Sequence, residues 1–99
     1  MDSEKLLEKT LREKVKALNG LALKFHCLSF TGFPDRIVLM PFGRIYFVEL
    51  KSEGKKPTKI QLAVHKILSD LGFLVFIIDT KEKLSNFLKL IEDANNKTV

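Results

Sequence analysis

Two carboxylates and a lysine form the part of the sequence with the clearest chemical potential. Asp35 follows the turn Gly32–Pro34, and fourteen residues later come Glu49 and then Lys51. Because side chains alternate along a strand, Glu49 and Lys51 point to the same face of any strand that carries both. Two carboxylates on a surface that meets phosphates would repel the substrate unless a divalent cation lay between them. Oxygen ligands of this kind suit Mg²⁺ or Mn²⁺, and Lys51 would add a positive charge beside the metal.

The same residues also have a purely structural explanation. Asp35 could cap a turn, while Glu49 and Lys51 could form a salt pair on an exposed strand edge. An Asp…Glu-x-Lys pattern alone is a weak signal, since these residue types are common. The context favours chemistry, because Gly-x-Pro-Asp-Arg stands at a strand start and a tight hairpin, Phe-Val-Glu-Leu-Lys and a helix-opening glutamine follow.

Hydrophobic periodicity predicts the elements that would position these side chains. An apolar face at helical spacing indicates a first helix over residues 3–18, ended by Asn19-Gly20. Three apolar runs then indicate strands over residues 21–27, 36–40 and 44–51. The turn Pro41–Gly43 makes the last two strands a hairpin. That hairpin would bring Asp35 and Glu49 together at one end of the sheet.

The second half of the chain predicts a helix, a strand and a final helix. Thr58 begins the second helix and Gly72 ends it. Its predicted buried stripe consists of Ile60, Val64, Ile67, Leu68 and Leu71. A strand follows over residues 73–78, and Asp79 with Glu82 fits a capping box at the start of the last helix. The predicted inward residues of that helix are Leu84, Phe87, Leu88 and Ile91.

Length and element order predict one α/β domain over residues 1–99. The order αβββαβα gives a mixed four-stranded sheet flanked by helices, with a crossover through the second helix. The lone Cys27 excludes a disulfide framework and a cysteine-based zinc site within one chain. Because it lies in an apolar run, we expect it to be a buried, inert thiol. We expect the polar residues 94–99 to fray.

The balance of charges points to an anionic partner. The net charge is +5, and nucleic acid is the first candidate for a basic domain of this size. The first nine residues are charged rather than apolar, and no apolar run approaches the ~20 residues of a membrane span. We therefore expect a cytoplasmic protein without a membrane partner.

Three sequence runs together resemble a known family. The runs Thr31–Arg36, Tyr46–Lys51 and Lys56–Gln61 look like the VRR-NUC family of PD-(D/E)xK nucleases, in particular its small stand-alone members from phages and bacteria. The resemblance extends from about Glu4 to Phe87. It implies a restriction-endonuclease-like αβββαβ core, Mg²⁺- or Mn²⁺-dependent phosphodiester cleavage, a homodimer, and branched DNA such as Holliday junctions as the substrate.

The resemblance also implies roles for individual residues. Asp35 and Glu49 match the metal carboxylates, Lys51 the catalytic lysine and Gln61 the helix glutamine, and the backbone carbonyl of Leu50 matches a further metal ligand. Gln61 has a second explanation, since Thr-x-x-Gln at a helix start is a capping box. His65, one turn later on the same face, is expected to be a helix-surface histidine rather than a catalytic one, and His26 is interpreted in the same way.

A third carboxylate on the first helix is typical of the family. At 100° per residue, Glu8 and Glu4 border the buried face, whereas Glu13 lies on the far side. Glu8 is the first choice for the metal site and Glu4 the second. Alternatively, both only offset the positive charge of the helix.

Several basic residues are candidate DNA contacts: Lys24, Arg36, Lys55, Lys56 and Lys59. A basic stripe on the first helix, made of Lys5, Lys9, Arg12 and Lys16, fits a solvated face and a phosphate track equally well. Two rival functions are a module that binds branched DNA without cutting it and an RNA-processing nuclease. The intact Asp35, Glu49 and Lys51 set argues against the first, and only a comparison of substrates decides the second. For a homodimer, Leu62 and Phe42 are predicted to be exposed.

Overall fold

The computed structural model describes residues 3–97, and the elements follow the predicted order. They are α1 (Glu4–Ala17), β1 (Leu21–Lys24), β2 (Arg36–Met40), a 3₁₀ turn (Pro41–Gly43), β3 (Arg44–Leu50), α2 (Lys59–Asp70), β4 (Leu74–Ile78) and α3 (Lys81–Lys97). Within this described part of the chain, no helix combines the length and the apolar run that crossing a bilayer requires.

The four strands form one mixed sheet in the order β1-β2-β3-β4. β1, β2 and β3 pair antiparallel, whereas β3 and β4 pair parallel through the crossover helix α2. Arg36 at the start of β2 is paired with Val48 near the end of β3. This register places Asp35, the residue before β2, beside Glu49 and Leu50, as the predicted hairpin requires.

The face of the sheet that α1 and α3 cover holds the main core. The buried residues of α1 are Leu7, Leu11 and Val15, and those of α3 are Leu84, Phe87 and Ile91. They pack on Val38 and Val48 of the central strands. Leu88 packs against this core while partly exposed, so the predicted inward faces of both helices are confirmed.

The opposite face of the sheet is only partly covered by α2. Val64 and Leu68 pack on Phe47, but three residues of the predicted stripe are exposed, namely Ile60, Ile67 and Leu71. The predicted stripe was too wide, because the helix rests on the sheet along a narrow line that also buries His65. Four apolar side chains of the uncovered half are exposed, and we call this surface the open sheet face: Leu21, Leu23, Leu39 and Ile45.

Several predicted boundaries shift where hydrogen bonds override the sequence pattern. β1 ends at Lys24 rather than at residue 27, although the amide of Phe25 still donates to the Asp35 carbonyl at 2.8 Å. The N-cap of α3 is Thr80 and not Asp79, since Thr80 Oγ1 accepts from the Lys83 amide at 3.1 Å. Asp79 instead lies 2.9 Å from the Lys83 ammonium group.

The predicted fraying near the C-terminus is wrong for residues 94–97. They belong to α3, and the Asn95 side chain donates to the carbonyl of Leu18 at 2.9 Å while accepting from Arg44. These bonds tie the end of α3 to the end of α1. Residues 98 and 99 lie outside the described residues.

Candidate active site

Asp35 is held at the start of β2 by a tight turn and by the neighbouring strand. The turn needs Gly32, which has a φ of +91° and lies so close to Ile60 that a Cβ there would come within 2.7 Å of the Ile60 side chain. Asp35 Oδ1 accepts a hydrogen bond from the Leu50 amide at 3.2 Å. Burial raises the pKa of Asp35, against the opposing effects of this hydrogen bond and of Arg36.

Glu49 is a buried carboxylate with an incomplete set of partners. Only 3% of the residue is exposed, and its Oε1 makes no hydrogen bond with any described residue. Burial, and then the charge of Asp35, raise the pKa of Glu49 to about 7. A buried carboxylate of this kind is costly unless a positive charge compensates it. Carboxylate oxygens are the type of ligand that Mg²⁺ and Mn²⁺ take in proteins.

Three side chains surround the Glu49 carboxylate. Lys51 Nζ lies 3.8 Å from Oε2, on the same face of β3 as predicted. Gln61 Nε2 donates a long hydrogen bond of 3.5 Å to Oε2, and His65 Nε2 lies 3.7 Å from Oε1. Burial, and then the charge of Lys51, lower the pKa of His65. A neutral imidazole therefore faces the carboxylate at neutral pH.

Gln61 combines the two explanations that the sequence left open. Its Oε1 accepts from the Thr58 amide at 2.9 Å, and Thr58 Oγ1 accepts from the Gln61 amide at 3.1 Å, which completes the capping box. Its Nε2 is the atom that reaches Glu49. The capping box thus fixes the side chain that approaches the carboxylate.

His65 was missed by the sequence analysis, which placed it on the helix surface. It is buried on α2, one turn after Gln61 and beside Glu49. The four-residue spacing from Gln61 was the available signal, because residues at i and i+4 share a helix face.

The two carboxylates of α1 have different partners. Glu8 Oε1 accepts from Arg12 Nη1 at 2.6 Å, and Glu8 Oε2 lies 4.0 Å from Arg36 Nε. Burial is the main cause of the raised pKa values of Asp35 and Glu49, and the charge of Glu4, the second choice, adds a smaller contribution to both. Glu4 therefore acts electrostatically on the two carboxylates, while Glu8 is engaged by arginines.

No three His, Cys, Asp or Glu side chains between residues 3 and 97 cluster tightly enough to hold a metal ion alone. The chain brings Asp35, Glu49 and the backbone of Leu50 together, as the Leu50–Asp35 hydrogen bond records. A cation here would thus draw on two carboxylates and on the Leu50 carbonyl, with water completing its ligands.

Arg36 lies among the acids of the site. Only 6% of the residue is exposed. Its Nη1 donates to the Asp35 carbonyl at 3.0 Å and lies 3.5 Å from Asp35 Oδ2. Its guanidinium is thus a partner of the site's acids, and Arg36 also lines the groove that holds Lys24, so its contact with DNA stays a prediction.

The other basic candidates are exposed around the site. Lys55, Lys56 and Lys59 lie in the loop after β3 and at the start of α2. Lys24 lines a groove of about 730 Å³ between α1 and β1, together with Lys5 and Arg12. Part of the basic stripe on α1 therefore borders the same groove as Glu4 and Glu8.

A mixed sheet that carries Asp35 at the start of one strand and Glu49-x-Lys51 at the end of its neighbour defines an α/β domain of the PD-(D/E)xK class. A solved structure described as a VRR_NUC domain matches it with a TM-score of 0.81 and 32% identity, over 87% of this chain and 94% of that one. The protein "Putative nuclease p44" of Acyrthosiphon pisum secondary endosymbiont phage 1 is 41% identical over 88 residues, which cover 89% of this chain and 94% of that protein. No family model matches the chain. The chain belongs to the VRR-NUC family of nucleases, which confirms the predicted family and fold.

Proposed function

We propose that this protein is a metal-dependent endonuclease that hydrolyses phosphodiester bonds in branched DNA such as Holliday junctions. The observation that carries the proposal is the buried Glu49 carboxylate. Its Oε1 makes no hydrogen bond within residues 3–97, and burial together with the charge of Asp35 raises its pKa to about 7. Family membership supports a nuclease. The phage origin of the similar protein supports action in the cytoplasm of a bacterial cell.

The residues that would hold Mg²⁺ or Mn²⁺ are Asp35, Glu49 and the carbonyl of Leu50, with a carboxylate of α1 nearby. The raised pKa values of Asp35 and Glu49 fit this role, because a bound cation favours their charged forms. When bound, the metal would supply Lewis-acid polarisation of the scissile phosphate.

Lys51 and Gln61 have distinct roles in this proposal. Lys51 keeps a positive charge 3.8 Å from Glu49, where it can stabilise the charge that develops on the phosphate or orient the attacking water. Gln61 positions Glu49, because its own side chain is fixed by the capping box with Thr58.

The DNA backbone would be held by the exposed lysines around the site: Lys24, Lys55, Lys56 and Lys59. Lys5 and Arg12 extend this surface along the groove between α1 and β1. Contacts with phosphates release counterions, so binding should weaken steeply as salt increases.

We also propose a homodimer, since opposed cuts in a four-way junction need two active sites and one chain supplies one. The open sheet face offers a contact surface, because Leu21 is paired with Leu39 and Leu39 with Ile45, which makes the exposed side chains direct neighbours. Contiguous exposed apolar patches of this kind mark interfaces more often than isolated residues do. Leu62 and Phe42 are exposed as predicted, but each stands outside this patch.

A cleavage assay tests the proposal. The purified protein is incubated with a four-way junction, a flap, a duplex and single strands, each as DNA and as RNA, with Mg²⁺, Mn²⁺ or EDTA. We expect metal-dependent cuts in branched DNA at the highest rate. Faster cleavage of RNA than of DNA would make RNA the substrate. Binding without cleavage in either metal would make the protein a binding module.

A further inference from the structure

The segment between β1 and β2, residues 25–34, has an inner part that is firmly packed. The Phe33 ring contacts Phe25 and Phe47, with centroid separations of 5.3 Å in both pairs. Gly32 lies directly against Ile60 of α2. These contacts fix the base of the loop to the sheet and to the helix that carries Gln61.

The outer part of the same loop presents apolar side chains to solvent. Leu28 is 90% exposed and Phe30 is 44% exposed, and Phe30 meets Phe33 edge-on at 6.5 Å. Such exposure of large apolar residues has no folding benefit, since neither side chain is packed into the core. The exposed side chains of Leu28 and Phe30 are therefore accessible to a ligand on a loop whose inner part is fixed.

A cavity of about 260 Å³ lies within this loop, lined by Phe25, Phe30, Phe33 and Asp35 among others. Its volume is below the range of drug-sized ligands and suits a single ring system. Because Asp35 lines the cavity, an occupant would lie next to the candidate metal site. Lys24, the residue before the loop, and Lys59, the residue before Ile60, are both exposed, although neither lines the cavity. A planar base attached to a phosphate backbone has this combination of chemistry.

We propose that this loop binds one unpaired nucleobase of the DNA strand being cut, in the cavity that Phe25, Phe30 and Phe33 line, with Leu28 wedged against the neighbouring base step. The inference rests on the proposed nuclease function. Bases within a continuous duplex are stacked and paired, whereas a branch point offers bases that can be displaced at low cost. The loop would thus select branched DNA over duplex DNA.

Cleavage rates of Phe30 variants test the aromatic contact. Phe30→Ala and Phe30→Leu should each slow single-turnover cleavage of a branched DNA by roughly ten- to a hundredfold, while Phe30→Tyr retains the rate. Phe42→Ala is the matched control, because Phe42 is exposed in the turn at the far end of the β2–β3 hairpin. Thermal melting verifies that each variant is folded. Full activity of folded Phe30→Ala, or of Phe30→Leu, would overturn the stacking role.

A binding measurement separates this inference from the proposed function. A duplex with one bulged 2-aminopurine is titrated with protein in EDTA, so that no cleavage is needed. We expect wild-type protein to raise the fluorescence of the probe as the base leaves the DNA stack, and Phe30→Ala to bind without this rise. If wild type cuts no DNA, the nuclease proposal fails, whereas the fluorescence still decides the base site. No rise with wild type, or an equal rise with Phe30→Ala, would overturn it.

Discussion

The backbone amide of Leu50 donates a 3.2 Å hydrogen bond to the carboxylate of Asp35. This bond joins the residue before β2 to the last residue of β3, and therefore fixes Asp35 relative to Glu49 through the backbone. Burial raises the pKa of both acids, and the charge of Asp35 raises the pKa of Glu49 further. Preorganised charges of this kind need little rearrangement when a cation or a charged phosphate arrives.

Asp35→Asn removes the charge of Asp35 but keeps an acceptor for its hydrogen bond with the Leu50 amide. Asparagine keeps an oxygen for the Leu50 amide but loses the charge, so we expect cleavage to fall by roughly 10²- to 10³-fold with DNA affinity almost unchanged. Asp35→Ala also leaves that amide without its acceptor, which should destabilise the fold by about 1–3 kcal/mol. Single-turnover rates and urea unfolding measure the two effects. Full cleavage by Asp35→Ala in Mn²⁺ would rule out Asp35 as a metal ligand.

Glu49 should make the stability of the metal-free protein depend on pH. The pKa of Glu49 is about 7 in the folded protein against an ordinary value of 4.5, so between these values the folded protein retains a proton that the unfolded chain has lost. The contribution of this group to stability is greatest below pH 4.5, declines as the pH rises through 7 and stays low above it. Since one pKa unit corresponds to about 1.4 kcal/mol, Glu49→Gln should therefore stabilise the metal-free protein at pH 8 by at most about 3 kcal/mol.

Metal addition supplies the control for Glu49. Mn²⁺ should raise the melting temperature of the wild type at pH 8, because it binds the folded site, and should leave Glu49→Gln almost unchanged. A metal-free Glu49→Gln protein that is less stable than the wild type at pH 8 would contradict the cost assigned to this buried charge.

Lys51 is expected to act in the chemical step. Lys51→Ala should lower the single-turnover rate by roughly 10²- to 10³-fold and change junction affinity little, because the side chain lies beside Glu49 rather than on the exposed basic surface. Lys56→Ala is the matched control, and it should reduce affinity and the salt dependence of binding without changing the rate at saturating protein. The reverse pattern for Lys51→Ala would make it a phosphate contact only.

Variants of Glu4 and Glu8 decide which acid of α1 serves the metal site. The charge of Glu4 acts on Asp35 and Glu49, whereas Glu8 is paired with Arg12. We expect Glu4→Gln to raise the Mg²⁺ concentration that gives half-maximal cleavage, and to raise it several-fold more than Glu8→Gln does. Metal titrations of the cleavage rate measure the difference, and a larger effect of Glu8→Gln would restore the first choice made from the sequence.

The positions of Asp35, Glu49 and Lys51 could be predicted because local rules determine them. Alternation along β3 fixes Glu49 relative to Lys51, and the turn Pro41–Gly43 sets the hairpin register that brings Asp35 to Glu49. These rules act over a few residues and leave few alternatives.

The surroundings of Glu49 could not be predicted in the same way. The burial of His65 depends on the narrow line along which α2 meets the sheet, and the relation of Glu4 to Glu49 depends on how α1 lies across it. The burial of Arg36 could not be predicted either, because it depends on the Glu8 and Asp35 carboxylates that lie within 4.0 Å of its guanidinium. Helical periodicity predicts which side of a helix faces the sheet, but not how deeply each residue on that side is buried.

The open sheet face should mediate the homodimer. Leu39 lies between Leu21 and Ile45 in the strand register, so Leu39→Lys would place a charge in the middle of an apolar contact, where burying it without a partner is costly. We expect the wild type to be a dimer at micromolar concentration by light scattering, and Leu39→Lys to be a folded monomer that nicks junctions without paired cuts.

Leu90→Lys is the matched control for Leu39→Lys and should remain dimeric, since Leu90 is exposed on α3 and α3 covers the opposite face of the sheet. A dimer that survives Leu39→Lys but not Leu62→Lys would move the interface to α2. A monomer mass for the wild type, both free and bound to a junction, would contradict the dimer and with it the paired-cut mechanism.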